Sequence, residues 1–281
     1  MVRRAAILGL GLAALGAGLG ACGPDPVQPA APAAKGAQWL AAPAITDIRA
    51  DAGQWVVRGA SDASARIRLT DQDGQAFGTD ANAQGLFDLR LNASDGPRLF
   101  SIERVSGGHA ARSQAALFLA PDGTAAVLNL GGASLPLGER TGFGIAAVDY
   151  DGRALAVSGW GAAGQAVTVR LAGHSDVTNR VDATGRFTAA FNGVLPGSYG
   201  LGAQSRAGSA SRTIILTAPQ SNDASRLAMT RLGALWRIER PLPGGGRQIS
   251  LILLDGQSES SGGDSREGDS PLLQAPGTPS A

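Results

Sequence analysis

Asn82-Ala83-Gln84-Gly85-Leu86-Phe87 returns one hundred residues later as Asp182-Ala183-Thr184-Gly185-Arg186-Phe187. Sliding the chain against itself by that offset sets Ile45 on Ile145, Asp51 on Asp151, Val57 on Val157 and Gly59 on Gly159. Ile67 then falls on Val167 and Leu69 on Val169, with no gap between 45–87 and 145–187. A gapless register of that length reads as a duplicated unit, and a repeat decides the architecture before any motif is weighed.

Within each copy the hydrophobic period is two. Arg66-Ile67-Arg68-Leu69-Thr70, Phe87-Asp88-Leu89-Arg90-Leu91 and Val167-Thr168-Val169-Arg170-Leu171 alternate polar with apolar. That pattern predicts strands with one face buried and one wet, as in antiparallel sandwiches. Further strands are expected at 98–103 and 115–119, and again at 198–203 and 212–217. Asp71-Gln72-Asp73-Gly74 and Asp182-Ala183-Thr184-Gly185 supply the turns between such runs. With 41 Gly and 15 Pro among 281 residues the composition suits short strands and tight turns, and 43% hydrophobic content is enough for a packed core. No long amphipathic helix is legible. The expected fold class is all-β, with one sandwich over 45–130 and another over 140–219.

The phrase Ala65-Arg66-Ile67-Arg68-Leu69, then Asp73-Gly74, then Ala83-Gln84-Gly85-Leu86-Phe87 resembles bacterial immunoglobulin-like domains of cell-surface proteins. The second copy, with Leu195-Pro196-Gly197-Ser198-Tyr199 after Gly185-Arg186-Phe187, is also similar to the carboxypeptidase-regulatory or transthyretin-like sandwich. The resemblance covers about 45–217. It implies two tandem immunoglobulin-like antiparallel β-sandwich domains serving as spacers, adhesive modules or binding modules. Such turn-and-core motifs specify fold rather than function.

Beyond the repeat, Leu235–Arg240 and Gln248–Leu254 flank Pro241-Leu242-Pro243-Gly244-Gly245-Gly246. Two strand-like runs around a Pro/Gly turn predict a β-hairpin within 226–255, and a lone hairpin is marginal in water, so it should dock on the second sandwich or pair with a partner. Residues 256–281 are rich in Ser, Gly and Pro with excess acid, and are expected to be a disordered tail.

The N-terminus opens with Arg3 and Arg4, then an apolar run from Ala5 to Ala21. A positive start, an apolar stretch and small residues before a cut site make a secretory signal over 1–21. The run falls short of the ~20 residues that a spanning helix needs, which weakens a transmembrane reading. Leu19-Gly20-Ala21-Cys22 resembles the bacterial lipobox. The resemblance implies diacylglyceryl transfer to the Cys22 thiol, cleavage before it and acylation of the new amino group; a plain secretory signal beside a chance cysteine is the simpler alternative. Gly23, where retained lipoproteins carry Asp, implies sorting to the outer membrane. Residues 22–44, opening Cys22-Gly23-Pro24-Asp25-Pro26, form a Pro/Ala-rich tether favouring extended geometry at ~3.1 Å per residue.

Several function classes drop out. A net charge of +1 gives no electrostatic case for nucleic acid. One Cys excludes an internal disulfide, a cysteine zinc site and an iron–sulfur cluster, and two His leave little for metal or acid–base chemistry. His174-Ser175-Asp176 names the right residues for a triad, but chain neighbours rarely converge as a triad must. His109 sits in a turn with no second His at ligand spacing. Asp71, Asp73 and Asp80 offer oxygen atoms for calcium without the EF-hand pattern, and Asp-Gly is first a turn signal. Gly244-Gly245-Gly246 precedes no helix that would hold a phosphate. Asp149, Asp151 and Asp182 are the nearest material for a hydrolytic acidic pair.

Large aromatics are the remaining binding candidates. Trp55 and Trp236 are expected in cores, and Trp39 where the first sandwich begins. Trp160, in Gly159-Trp160-Gly161, is expected in a loop, able to stack on a sugar ring or to lie as a lid over the sandwich end. Arg66, Arg68, Arg90 and Arg170 are expected on wet sheet faces able to pair with acidic glycans. The sequence thus points to a non-enzymatic, lipid-anchored envelope protein with no cofactor beyond the covalent lipid on Cys22. Its expected partners are the membrane and an envelope protein or cell-wall glycan. The alternative is a carbohydrate- or peptidoglycan-binding lipoprotein using Trp160 with Arg66, Arg68 and Arg170.

Overall fold

A computed structural model describes residues 42–254 apart from 52, 107–108, 139–141, 220–226 and 244. The signal, the lipobox (Leu19, Gly20, Ala21, Cys22), Trp39 and the acidic tail lie outside the described residues. Those described contain strands and turns and no helix, so the chain is all-β.

The first repeat supplies β1 (Ala44–Asp51), β2 (Gln54–Ala60), β3 (Arg66–Thr70), β4 (Ala76–Asp80), β5 (Leu86–Asn92), β6 (Arg98–Ser106) and β7 (His109–Leu119). Two more strands follow, β8 (Ala125–Asn129) and the short β9 (Leu135–Pro136). The second repeat gives β10 (Gly144–Tyr150), β11 (Ala154–Trp160), β12 (Ala166–Leu171), β13 (Val177–Arg180), β14 (Arg186–Asn192), β15 (Gly197–Ser205) and β16 (Gly208–Leu216). The chain then forms β17 (Ala228–Leu232), β18 (Leu235–Pro241) and β19 (Arg247–Leu253).

In the first copy β1-β2-β5 faces a sheet ordered β4-β3-β6-β7, which β8 and β9 extend. In the second, β10, β11 and β14 face β13-β12-β15-β16, and β19, β18 and β17 extend the former along the free side of β10. Three strands against four, all pairs antiparallel, make two tandem immunoglobulin-like sandwiches. β19 pairs with β10 from Ala147–Ile252 to Tyr150–Ile249, β18 pairs with β19, and β17 pairs with β18. The strands thus run past the expected spans, since β9 continues the first sandwich's sheet and β17–β19 complete the second's.

Period-two alternation places the cores. In β3 and β5 every second side chain is buried, and Ile67, Leu69, Phe87, Leu89 and Leu91 meet Val57, Phe100 and Leu117. Their counterparts Val167, Val169, Phe187, Ala189 and Phe191 build the second core. Trp55 and Trp236 are buried as expected.

The repeat extends to backbone irregularities. A bulge between Ile45 and Asp47 recurs between Ile145 and Ala147. Gly59 lies between Ile45 and Phe87, and Gly159 between Ile145 and Phe187. Both glycines lie under a phenylalanine ring. A Cβ on Gly59 would stand 2.2 Å from Phe87 Cζ and 2.4 Å from the Ala44 carbonyl oxygen; on Gly159 it would stand 2.2 Å from Phe187 Cζ and from the Gly144 oxygen. The repeated turn follows the same rule. Asn82 Oδ1 accepts from Gln84 N and Leu86 N, Asp182 Oδ1 from Thr184 N and Arg186 N, and Gly85 and Gly185 close the turns at φ +77° and +79°.

Gly59→Ala and Gly159→Ala should each destabilise by about 1–3 kcal/mol, because backbone as well as ring must shift. Gly96→Ala, which meets open space, is the control and should leave the urea midpoint unchanged.

Candidate functional site

Trp160 is the last residue of β11, not part of a loop, and it is half-buried. Its cross-strand neighbours are Gly144 and Arg186. The indole lies against Gly144, where a Cβ would come 3.0 Å from Trp160 Cζ2. Beside it opens a cleft of about 200 Å³ lined by Leu135, Pro136, Ala146, Trp160, Thr184 and Arg186. One wall is therefore the end of the first sandwich's sheet, and the other is the outer face of β10 and β11. An aromatic face, a guanidinium and a hydroxyl around one concavity are chemistry suited to a polar ring-bearing ligand.

The arginines singled out from sequence do not join that cleft. Arg66 and Arg68 are exposed on β3 in the first sandwich, and Arg170 is exposed on β12 in the four-strand sheet of the second. Trp160 belongs to the opposing sheet, and the guanidinium beside it is that of Arg186. Arg68 donates to Glu103 Oε2 through Nε at 3.0 Å and Nη2 at 2.5 Å, and Arg112 donates to Oε1 at 2.9 Å. The Arg68 hydrogen bond, acting against burial and helped by Arg112, holds the Glu103 carboxyl below its ordinary value. Arg170 donates to Asp176 at 2.9 Å and to Gln204 at 3.1 Å, and Arg90 to Asp51 at 3.1 Å. Arg68, Arg90 and Arg170 thus have acidic or amide partners, and with Arg66 the four arginines are spread over three sheets, so they do not form one glycan-binding face.

The remaining candidates have structural places. His174 packs its ring against Phe191 and Tyr199, while Asp176 turns to Arg170, so no triad forms from His174-Ser175-Asp176. His109 is exposed at the start of β7. Asp71 is buried: Oδ1 accepts from Asp73 N at 3.0 Å and Gln75 N at 2.8 Å, and Oδ2 accepts from Arg98. Burial would raise its carboxyl, but Arg98 and the two backbone donors outweigh that and hold it below the ordinary value. The expected turn is there, and both carboxyl oxygens of Asp71 are already engaged. Among the described residues no group of three or more His, Cys, Asp or Glu is placed to hold a metal.

Sequence reasoning undervalued Asp149, which lies on the face of β10 turned toward the first sandwich. Its Oδ2 accepts from Ser134 N at 2.5 Å. Its Oδ1 accepts from Ser134 Oγ (2.6 Å), Ser250 Oγ (2.5 Å) and Gln248 Nε2 (2.9 Å). Gln248 also donates to the Asn129 carbonyl at 3.0 Å and accepts from Gly131 N at 3.0 Å, and Ser158 Oγ donates to the Ser134 carbonyl. Arg240 donates to the same Asn129 carbonyl at 2.6 Å. The stretch 129–134 between β8 and β9 is thus bound into the sheet of the second sandwich. Burial raises the Asp149 carboxyl against the pull of its donors, and burial lowers Arg240 to about 10 against the Asp149 charge. The signal available in sequence was one acid in a strand whose every residue is buried, Gly144–Tyr150.

The opposite end of this joint is also polar. Trp236 Nε1 donates to Asp122 Oδ2 at 2.9 Å, and Arg231 approaches the same oxygen at 3.3 Å. Between the two ends, Phe118, Ala126 and Leu128 meet Ala147, Trp236, Ile238 and Ile252, with the Phe118 and Trp236 rings edge-on at 5.6 Å.

No family model matches the chain, and no curated protein matches it. Among solved structures it is similar to the BSP domain of a biofilm-associated protein, at 17% identity and a TM-score of 0.22, over 64% of this chain and 30% of that one. It is also similar to the D0-D1 domain of intimin, at 14% identity and a TM-score of 0.23, over 62% and 99%. A third is the central fibronectin-III array of RIM-binding protein, at 11% identity and a TM-score of 0.27, over 76% and 90%. The fold assignment rests on the strand order of the chain itself.

Asp149→Ala leaves four buried donors without their acceptor and should cost about 3–5 kcal/mol in urea unfolding. Asp149→Asn probes the charge. Because burial raises the folded-state value, the ionised carboxyl costs stability, a cost that appears as pH rises from the unfolded value through the folded one. The stability advantage of the parent over Asp149→Asn should therefore shrink with rising pH across that window.

Proposed function

We propose that this chain is a non-enzymatic, lipid-anchored envelope protein that holds two rigidly joined sandwiches as a structural or protein-interaction module. The joint carries this reading. An apolar seam flanked by buried hydrogen bonds fixes the two sandwiches against each other, whereas mobile tandem domains meet through small polar interfaces. A fixed pair suits a part that presents a surface at a set distance. Supporting the anchor are Leu19-Gly20-Ala21-Cys22 and the Pro/Ala-rich stretch after it. Two or three acyl chains on Cys22 would hold the protein persistently, since each buried methylene contributes ~0.8 kcal/mol and a single chain anchors only marginally. Gly23 favours the outer membrane, on its periplasmic or surface side.

A second reading is favoured by the cleft beside Trp160, namely binding of a cell-wall glycan. The indole face would stack on a sugar ring, and Arg186 and Thr184 would meet its polar substituents.

Cys22→Ser should abolish incorporation of labelled fatty acid and release the protein from membranes washed with carbonate; retention of the variant would overturn the anchor. Retention on purified peptidoglycan sacculi separates the two readings. Loss of retention in Trp160→Ala would support glycan binding at the cleft, and absence of retention by the parent chain would remove it.

A further inference from the structure

Each copy closes its four-strand sheet on the last strand of the repeat, β7 in the first and β16 in the second. In the first copy that edge is covered, because β8 pairs antiparallel with β7 from Ala115–Asn129 to Leu119–Ala125. In the second, β16 pairs only with β15 among the described residues. The next described strand after β16 is β17, in the other sheet, and the Thr217 hydroxyl accepts from Arg237 on β18 at 3.1 Å.

Edge strands are normally protected by charge, proline or a bulge. The β1 edge has Asp47, Arg49 and Asp51 together with its bulge. The exposed row of β16 is Ser209, Ser211, Thr213 and Ile215, with no charge in it, and Ile215 is 71% exposed. Its pairing with β15 runs from Gly197–Leu216 to Ser205–Gly208 without a bulge. The result is a long edge with no charge in its outer row, whose outward backbone donors and acceptors pair with no strand among the described residues, carrying one large apolar side chain.

We propose that this edge binds β16 of a second copy of the chain, antiparallel about a twofold axis, so that two four-strand sheets become one continuous sheet. The internal duplication supplies the template, since an antiparallel strand already occupies the same edge in the first copy. The side-chain row is compatible with itself. With Thr213 on the axis, Ser211 faces Ile215 of the other copy, and no like charges oppose each other in the outer row. Arg212, in the inward row, falls opposite Ile214. An isologous contact of this kind closes at two copies and leaves no further edge of the same type.

The test uses the full-length chain with Cys22→Ser, which removes the only thiol. Sedimentation equilibrium over a concentration series should show the mass rising from one chain to two. Thr213→Lys places two ammonium groups face to face on the axis and should raise the dimer dissociation constant by at least about tenfold, with Ile215→Lys acting in the same direction. Both positions are solvent-exposed, so the unfolding midpoint should hold. Thr213→Cys in the same background should oxidise to a covalent dimer. A parent chain that stays single at every concentration overturns the proposal, as it would if a segment of the same chain covers β16. Undiminished dimerisation of Thr213→Lys, or a dimer in which Thr213→Cys does not crosslink, overturns it equally.

Discussion

The contact on which the rest of the molecule depends is the one between the outer face of β8 and the outer faces of β10, β19 and β18. A sandwich strand ordinarily buries one face and wets the other. Here β8 buries both, sending Ala125 and Val127 into the first core and Ala126 and Leu128 into the seam. The residues of β10 and β19 are likewise all buried. A seam that shares its strands with the cores on either side cannot open without disturbing those cores, so the two sandwiches behave as one body.

Polar groups at both ends of the seam give it register. Apolar packing alone tolerates sliding, whereas a carboxylate with four donors, or an indole N–H on Asp122, is satisfied in only one alignment. Such groups are costly to bury and add little net stability over a well-packed apolar patch. Their contribution here is to alignment. The first copy shows the same sheet face without a covering sandwich. Where the second has Ala147 and Ser158, the first has Asp47 and Arg58, a partly exposed ion pair at 3.9 Å.

The duplication, the all-strand fold and the turns were legible because they depend on local rules. Alternation at Arg66–Thr70 needs only a half-buried strand, and Asn82 or Asp182 three residues before glycine needs only its own backbone. Phe87 and Phe187 were recognisable as core for the same reason. The joint was not legible, because its residues are distant in sequence and ordinary in type. Nothing near Asp149 announces that Ser134 and Ser250 will meet it. Trp160 was misread because Gly161 after it suggests a loop, while pairing with Gly144 and Arg186 keeps it in the strand. The arginines looked available because their acidic partners come from other strands: Glu103 for Arg68, Asp51 for Arg90. Only Asp176, six residues beyond Arg170, was near enough to suggest its pairing.

The position of β19 governs the order in which the molecule can be completed. This strand, the last one described, lies between β10 and β18, so Val148 is matched with Leu251 about a hundred residues downstream. The first core closes on strands that leave the ribosome early, mostly through neighbouring hairpins. The second stays incomplete, with β10 open along one side, until residues 247–253 have emerged. Long-range closure of that kind is slow and exposes sticky surface while it waits. A nascent chain halted or clipped before residue 247 would lack β19, leaving β10 open along one side and the seam without Ile252 and the Ser250 donor to Asp149.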